Sequence, residues 1–282
     1  AEGVEFDRTF GFGKWCSMSR VIHLSDLHFG KDRPDLLEPL IACVNDVSPD
    51  LVVISGDLTQ RAREGQFKEA RDFIDRISAK VLSVPGNHDV SLHRPFRRFF
   101  WPWRSYRKWI DQDLTPNFEN DEMIVVGINS VDRFSWQTGR LTAERINHAC
   151  DAMDAAPASK ARVLVVHHPL EHPAETNKKP IPGAEDALSR LLSCGANLIL
   201  SGHLHTWHAG NFTIESGTTT AVQLHAGTSL SSRVRGEPND FNVIDISGDR
   251  IAIERLSYNE ETQWFETTEA RQFNRASDTI FE

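Results

Sequence analysis

The sequence predicts an α/β fold, and three patterns carry that prediction. Short apolar runs at 21–25, 51–55 and 81–84 alternate with stretches of helical period at 35–47 and 62–77. That β-α-β-α-β order builds a parallel sheet with helices packed on it. A second alternation of apolar runs and helical stretches occupies 123–201, and after about residue 211 only short strand-like runs remain.

Each element has its own signal. The run 21–25 is short and apolar, as a strand covered on both faces should be. In 35–47, Leu36, Leu37, Leu40, Ile41, Val44 and Val47 recur at the helical period. The run 51–55 is a second buried strand, and 62–77 a second helix with Phe67, Ala70, Phe73, Ile74 and Ile77 on one face. After strand 81–84 come strand 123–129, helix 142–155, strand 162–166, helix 184–194 closed by Gly195, and strand 197–201. The runs 220–225, 241–246 and 250–257 are punctuated by Gly, Asn and Asp, as turns require. The last dozen residues, polar and weakly patterned, read as a loose tail. The expected organisation is an extension over 1–18, one domain over 19–260 and a tail over 261–282.

A chain of 282 residues buries a large core without covalent staples. Apolar residues at 39% and charged residues at 25% describe an ordinary soluble protein. The net charge of −9 argues against nucleic acid as the main partner. It leaves room for a small phosphorylated substrate, because bound cations reverse the field locally. Cys16, Cys43, Cys150 and Cys194 lie far apart with no CxxC pair, and read as small buried hydrophobes. No apolar run approaches a membrane span, and the first seventeen residues lack the apolar region of a signal peptide. Met18 directly precedes the first strand and can serve as a start. The expected location is cytoplasmic.

The chemistry sits at strand ends. Asp26-Leu27-His28, Gly56-Asp57, Gly86-Asn87-His88-Asp89, His167-His168 and Gly202-His203-Leu204-His205 each follow a predicted strand. Open α/β sheets place their binding crevice at that edge, so five segments distant in sequence converge on one site. Taken singly, each is weak: a DxH is more often two surface residues, and a Gly-Asp is usually a turn. His23, His93, His148, His172, His208 and His225 are read as solvated or core histidines. Together the five segments supply carboxylates and imidazoles, a mixed O/N set suited to manganese, iron or zinc. Two such ions act as a clamp for displacement at phosphorus, and Asp57 is the natural bridging carboxylate. Alternate residues of an extended segment share a face, which would bring Asp26 beside His28 and His203 beside His205. The glycines at 56, 86 and 202 let the chain turn and leave room around the ions.

The blocks D-x-H, G-D, G-N-H-D, H and G-H-x-H, in this order between about 20 and 208, resemble the calcineurin-like metallophosphoesterase family. The resemblance implies a four-layer sandwich of two mixed β-sheets flanked by helices. It implies two divalent transition-metal ions, one held by Asp26, His28, Asp57 and His205, the other by Asp57, Asn87, His167 and His203. In the pair His167-His168 the matching ligand is the first. His88 would act on the leaving oxygen as general acid or transition-state stabiliser, with Asp89 orienting its ring. A hydroxide bridging the ions would attack phosphorus in line, and no nucleophilic Ser or Cys is needed.

The segments around Asp26, Asp57 and His167 are similar to the bacterial branch of cyclic-nucleotide and related phosphodiesterases. That resemblance implies a phosphodiesterase, with 3′,5′-cyclic nucleotides as one candidate substrate. Alternatives are an esterase of lipid-linked pyrophosphates or phospholipids, a nuclease, and a non-catalytic scaffold. The cap segment 93–112 bears on the choice. Its part 93–110 holds six basic residues, seven aromatic ones and Pro102, which predicts two short amphipathic pieces. It reads as a packed helical cap, a dimer contact or substrate lid, or an interfacial patch toward a membrane surface. Arg233 and Arg235 are read as solvated hairpin charges outside the site.

Overall fold

The computed structural model describes residues 18–172, 180–212 and 221–275. The expected extension before Met18, residue 220 of the run 220–225, and the end of the tail from 276 lie outside them.

The chain forms, in order, β1 (Ser19–Leu24), α1 (Pro34–Val47), β2 (Leu51–Ile54), α2 (Glu64–Asp75), β3 (Lys80–Ser83), α3 (Pro95–Phe100), α4 (Arg104–Trp109), β4 (Asn117–Glu119) and β5 (Met123–Ile128). There follow α5 (Ala143–Ala155), β6 (Ala161–Val166), α6 (Ala184–Ser193), β7 (Leu198–Ser201), β8 (His208–Asn211), β9 (Val222–His225), β10 (Asp240–Ser247), β11 (Arg250–Asn259) and β12 (Trp264–Asn274). Two six-stranded sheets result, ordered β12-β11-β10-β1-β2-β3 and β4-β5-β6-β7-β9-β8. In the first, β1, β2 and β3 are parallel, and β10 pairs antiparallel with β1, Val21 opposite Ile244. In the second, β5, β6, β7 and β9 run parallel between antiparallel edges β4 and β8.

Strand periodicity divides the core into three layers of contact. Val21, Val53, Leu82, Val125, Val163 and Leu200 meet between the two sheets. Their alternates Ile22, Leu24, Val52 and Ile54 face α1 and α2, against Leu36, Leu40, Phe67 and Phe73. On the far side, Ile124, Val126, Leu164 and Val166 face α5 and α6 through Ile146, Met153, Leu188 and Leu191. The architecture is therefore the helix–sheet–sheet–helix sandwich, both sheets mixed. Because most central strands are buried on both faces, they read in sequence as unbroken apolar runs.

Two expectations need correction. The tail expected over 261–282 contains β12, which pairs with β11 along its length. Only Phe265 and Phe273 of that edge strand are buried hydrophobics, so alternation has almost nothing to show. The reading of the cysteines as separate hydrophobes fails for Cys150 and Cys194, which form a disulfide between α5 and the end of α6. Their 44-residue separation hides a pairing that only the packing of those helices creates. Disulfides form and persist mainly in oxidising compartments. No described helix is long and apolar enough to cross a membrane.

The segment 93–110 divides into unlike halves at Pro102. On α4, Tyr106 is fully buried, its hydroxyl 3.0 Å from Ser83 Oγ and its ring edge-on to Phe67. Trp109 is half-buried, with Lys68 and Lys108 over its ring. That half is a packed cap. On α3, Phe96, Phe99 and Phe100 are exposed while Arg98 is buried.

Candidate active site

The loops after β1, β2, β3, β6 and β7 carry the expected residues, and both sheets contribute at one edge. Beyond the strands, the 26–29 and 56–58 segments stay side by side through Asp26 N–H to the Gly56 carbonyl (3.1 Å) and His28 N–H to the Asp57 carbonyl (3.0 Å). Gly202 N–H to the His167 carbonyl (3.1 Å) ties the second sheet's loops together. Asp26 is one link between the sheets: its Oδ2 accepts from His203 N–H at 2.9 Å and from Ser25 Oγ at 2.7 Å.

Five of the site residues have left-handed backbones: Asp26 (φ 52°), His28 (50°), Asp57 (53°), His203 (69°) and His205 (59°). The D-x-H and H-x-H pairs thus share a side because each turns sharply, not because the chain is extended. Such conformations cost about 1–3 kcal/mol each and collect where the fold fixes side chains for a purpose. The neighbouring chain must come close to accommodate them. A Cβ on Gly86 would lie 2.2 Å from Asp57 N and Oδ1, so only glycine fits there.

The side chains fall into two groups that share one atom. Asp26 Oδ1 lies 3.4 Å from His28 Nε2 and 3.1 Å from His205 Nε2, and those two nitrogens are 3.2 Å apart. Asn87 Oδ1 lies 3.2 Å from His167 Nε2 and 3.0 Å from His203 Nδ1. Asp57 Oδ2 faces both groups, 3.6 Å from His28 Nε2 and 3.4 Å from His167 Nε2. Donors about 2.0–2.2 Å from a common cation sit at such separations from one another. Asp26 Oδ1 is buried without a hydrogen-bond partner, and two imidazole nitrogens converge on it. A divalent cation satisfies that arrangement, taking the oxygen and both nitrogens as donors at once.

The outer atoms hold the inner ones in position. His167 Nδ1 meets the Ser55 carbonyl at 2.8 Å and His205 Nδ1 the Arg233 carbonyl at 3.0 Å, which leaves each Nε2 lone pair facing inward. Asp57 Oδ1 accepts the His88 N–H at 2.8 Å, leaving Oδ2 for the centre. His168, adjacent to His167, faces Ser130 Oγ and the Gln137 carbonyl with its two nitrogens.

Electrostatics follow from burial. Burial alone would raise Asp26, but His205, His28 and His167 hold its carboxyl well below the usual range. Against its own burial, Asp57 is likewise held down by His167, His88 and His28. For His167 burial is again the opposing force, and Asp57 and Asp26 push the imidazole up to about 9. His28 goes the other way, lowered by burial. A cation entering here replaces a proton, which makes binding pH-linked.

His88 is half-buried, its ring edge-on to His28 at 4.8 Å between centroids. The expectation that Asp89 orients this ring is not what the structure has. Asp89 accepts from Leu58 N–H, Thr59 N–H, Thr59 Oγ and Gly86 N–H, pinning the 86–89 turn to the 57–59 loop. The ring is held instead by the Gln60 carbonyl, 2.8 Å from Nδ1. Burial and Asp57 push Asp89 up to about 6. The structure also draws in Arg233, whose Nη1 lies 3.5 Å from His88 Nε2. Gln60 carries no sequence signal, although both its carbonyl and its side-chain amide (3.2 Å) meet His88 Nδ1. Arg233 had one, a basic residue in a Ser-rich turn, but nothing local tied that turn to the site.

The chain resembles known proteins in sequence and in fold. Residues 19–207, well over half of the chain, match the family model described as calcineurin-like phosphoesterase. A Rhodopseudomonas palustris protein named probable cyclic nucleotide phosphodiesterase is 23% identical over 265 residues, spanning 85% of this chain and 92% of its own. An Arcobacter nitrofigilis protein named probable glycerophosphodiester phosphodiesterase is 25% identical over 53% of this chain and 56% of its own. The solved structure of PhoD superposes with a TM-score of 0.71 at 8% identity, over 94% of this chain and 71% of that one. With its motifs, sandwich and strand-end site, the chain belongs to the calcineurin-like phosphoesterase family and is a phosphoric ester hydrolase.

Proposed function

We propose that this chain hydrolyses phosphate diesters, 3′,5′-cyclic nucleotides among the candidates, with two divalent transition-metal ions sharing Asp57. The observation that carries this reading is the position of Asp57 Oδ2, one buried oxygen facing two separate donor groups. One ion would take Asp26, His28, Asp57 and His205, the other Asp57, Asn87, His167 and His203. Manganese, iron and zinc all suit this O/N mixture. When bound, the pair supplies a nucleophilic water at neutral pH and Lewis acidity at phosphorus.

The chain's own groups do the rest. The His88 ring, anchored through Nδ1 on the Gln60 carbonyl, turns Nε2 toward the cleft, where a protonated ring donates to the leaving oxygen. Asp89 is a positioning residue, holding the turn that carries His88. The Arg233 guanidinium stands beside Nε2 and offers charge-assisted hydrogen bonds to the phosphoryl oxygens. A cleft of about 390 Å³ opens beside His203, lined by Gln137, Thr138, His168 and Ile181, and gives room for the second ester arm. The names of the two relatives, both phosphodiesterases, point to the same class.

The test is a hydrolysis panel on the manganese-loaded protein with cyclic nucleotides, a chromogenic diester, the matching monoester and a lipid pyrophosphate. The expected result is diester turnover at least about tenfold above monoester, a barrier difference of about 1.4 kcal/mol. Faster monoester hydrolysis would remove the diesterase reading while leaving the metal centre intact.

A further inference from the structure

The helix α3 is inside out. Its charged residue Arg98 is 3% exposed and donates to the backbone carbonyls of Asp132, Arg133 and Ser135. Its aromatic residues point to solvent: Phe96 is 65% exposed and Phe100 63%, with Trp101, just past the helix end, at 56%. The rings touch one another, Phe96 to Phe100 at 4.6 Å and each to Trp101 at 6.0 Å. Phe99 joins them to the 131–136 loop, lying 5.7 Å from Phe134, which is itself 67% exposed. Arg133 returns a hydrogen bond to the Phe99 carbonyl at 3.1 Å, so helix and loop are locked into one platform. An apolar patch of this kind, built on buried polar anchors, marks a contact surface.

The helix segment carries charge of one sign, while the 131–136 loop adds Asp132 and Arg133, which offset each other. The segment 93–110 contains six basic residues and no acidic one, in a chain of net charge −9. Arg94, Arg97 and Arg104 line a cavity of about 190 Å³ with Ser91, Ser105 and Trp101, directly beside the exposed rings. Among the described residues, none of these three arginines forms an ion pair with a carboxylate. Guanidinium and hydroxyl groups converging in a small cavity recognise a phosphate.

We infer that α3 and the 131–136 loop form a docking face for an anionic phospholipid membrane. The Phe96, Phe100 and Trp101 rings enter the interface, and Arg94, Arg97 and Arg104 take a lipid headgroup phosphate. Aromatic rings at headgroup level flanked by basic residues are what such an interface selects. A second copy of this chain fits less well, because a two-fold contact would bring the same unpaired arginines together. The rings lie against one another as a wedge rather than standing apart as platforms for bases, which disfavours a nucleic acid strand. This inference does not depend on which phosphate ester the metal site hydrolyses. Asp89, the residue after His88, lines the same cavity and would set the catalytic cleft close to the lipid surface.

Co-sedimentation with phosphatidylcholine vesicles, with and without phosphatidylglycerol, tests it. The chain should sediment with the phosphatidylglycerol vesicles, less so as salt rises. Arg94→Glu with Arg97→Glu should weaken this at least about twentyfold, since each basic residue near an anionic surface is worth about fivefold. Phe96→Ser with Phe100→Ser should lower binding to both vesicle types. Melting temperature and hydrolysis of a soluble chromogenic diester should stay unchanged in both variants, because the substituted side chains lie on the surface. Failure of the wild-type chain to sediment, or equal sedimentation of the variants, overturns the inference. So does loss of a dimer in size-exclusion chromatography, or of oligonucleotide binding, with vesicle binding intact. Complete displacement from vesicles by inorganic phosphate also overturns it, since the cavity would then be a free-phosphate site.

Discussion

Asp57→Asn is expected to empty both donor groups at once. The substituted amide keeps the shape of the side chain, and its oxygen can still accept the His88 N–H that Asp57 Oδ1 accepts at 2.8 Å. What it loses is the negative charge on Oδ2, the atom that faces His28 on one side and His167 on the other. Metal content should fall from near two ions per chain toward none, because each group is left one anionic donor short. Turnover should fall by at least about 10²–10³-fold, the loss that follows removal of a single charge-stabilising group from a preorganised site. Folding should survive, since the amide fills the same space and its oxygen keeps the His88 N–H satisfied. A variant with full metal content and full activity would show that Asp57 bridges nothing.

His88→Ala should separate catalysis from metal binding. The ring touches no donor pair through its nitrogens, Nδ1 being committed to Gln60, and the backbone N–H to Asp57 is kept in alanine. Metal content should therefore hold. Turnover should drop about 10²–10⁴-fold, the usual worth of a positioned acid or base. The deficit should shrink for esters with good leaving groups, which need no proton to depart. If the loss is the same across a leaving-group series, His88 positions the phosphoryl group and protonates nothing.

The parts of this protein legible in sequence are those whose signal is local. Each central strand shows as an apolar run because both faces are covered, and Asp26, His28, Asp57, Asn87, His167, His203 and His205 all sit just past such runs. What stayed hidden depends on contacts between distant segments. The Cys150–Cys194 bond needs α5 and α6 side by side, and β12 gains its identity from pairing with β11. Aromatic and basic residues on α3 announce an amphipathic helix, yet periodicity alone does not say which face turns inward. There Arg98 finds three carbonyls of the 132–135 loop, and the aromatic face is left outside. Asp89 follows the same rule. Adjacency suggested a partner in the His88 ring, whereas the chain's turn aims the carboxylate at the 57–59 backbone.

Anomalous diffraction from crystals of the manganese-loaded protein shows whether one carboxylate oxygen joins two cations. The expected map has two peaks about 3.5–4 Å apart, one beside Asp26, His28 and His205, the other beside Asn87, His167 and His203, with Asp57 Oδ2 between them. A single peak, or a second peak coordinated by His168 in place of His167, would contradict it.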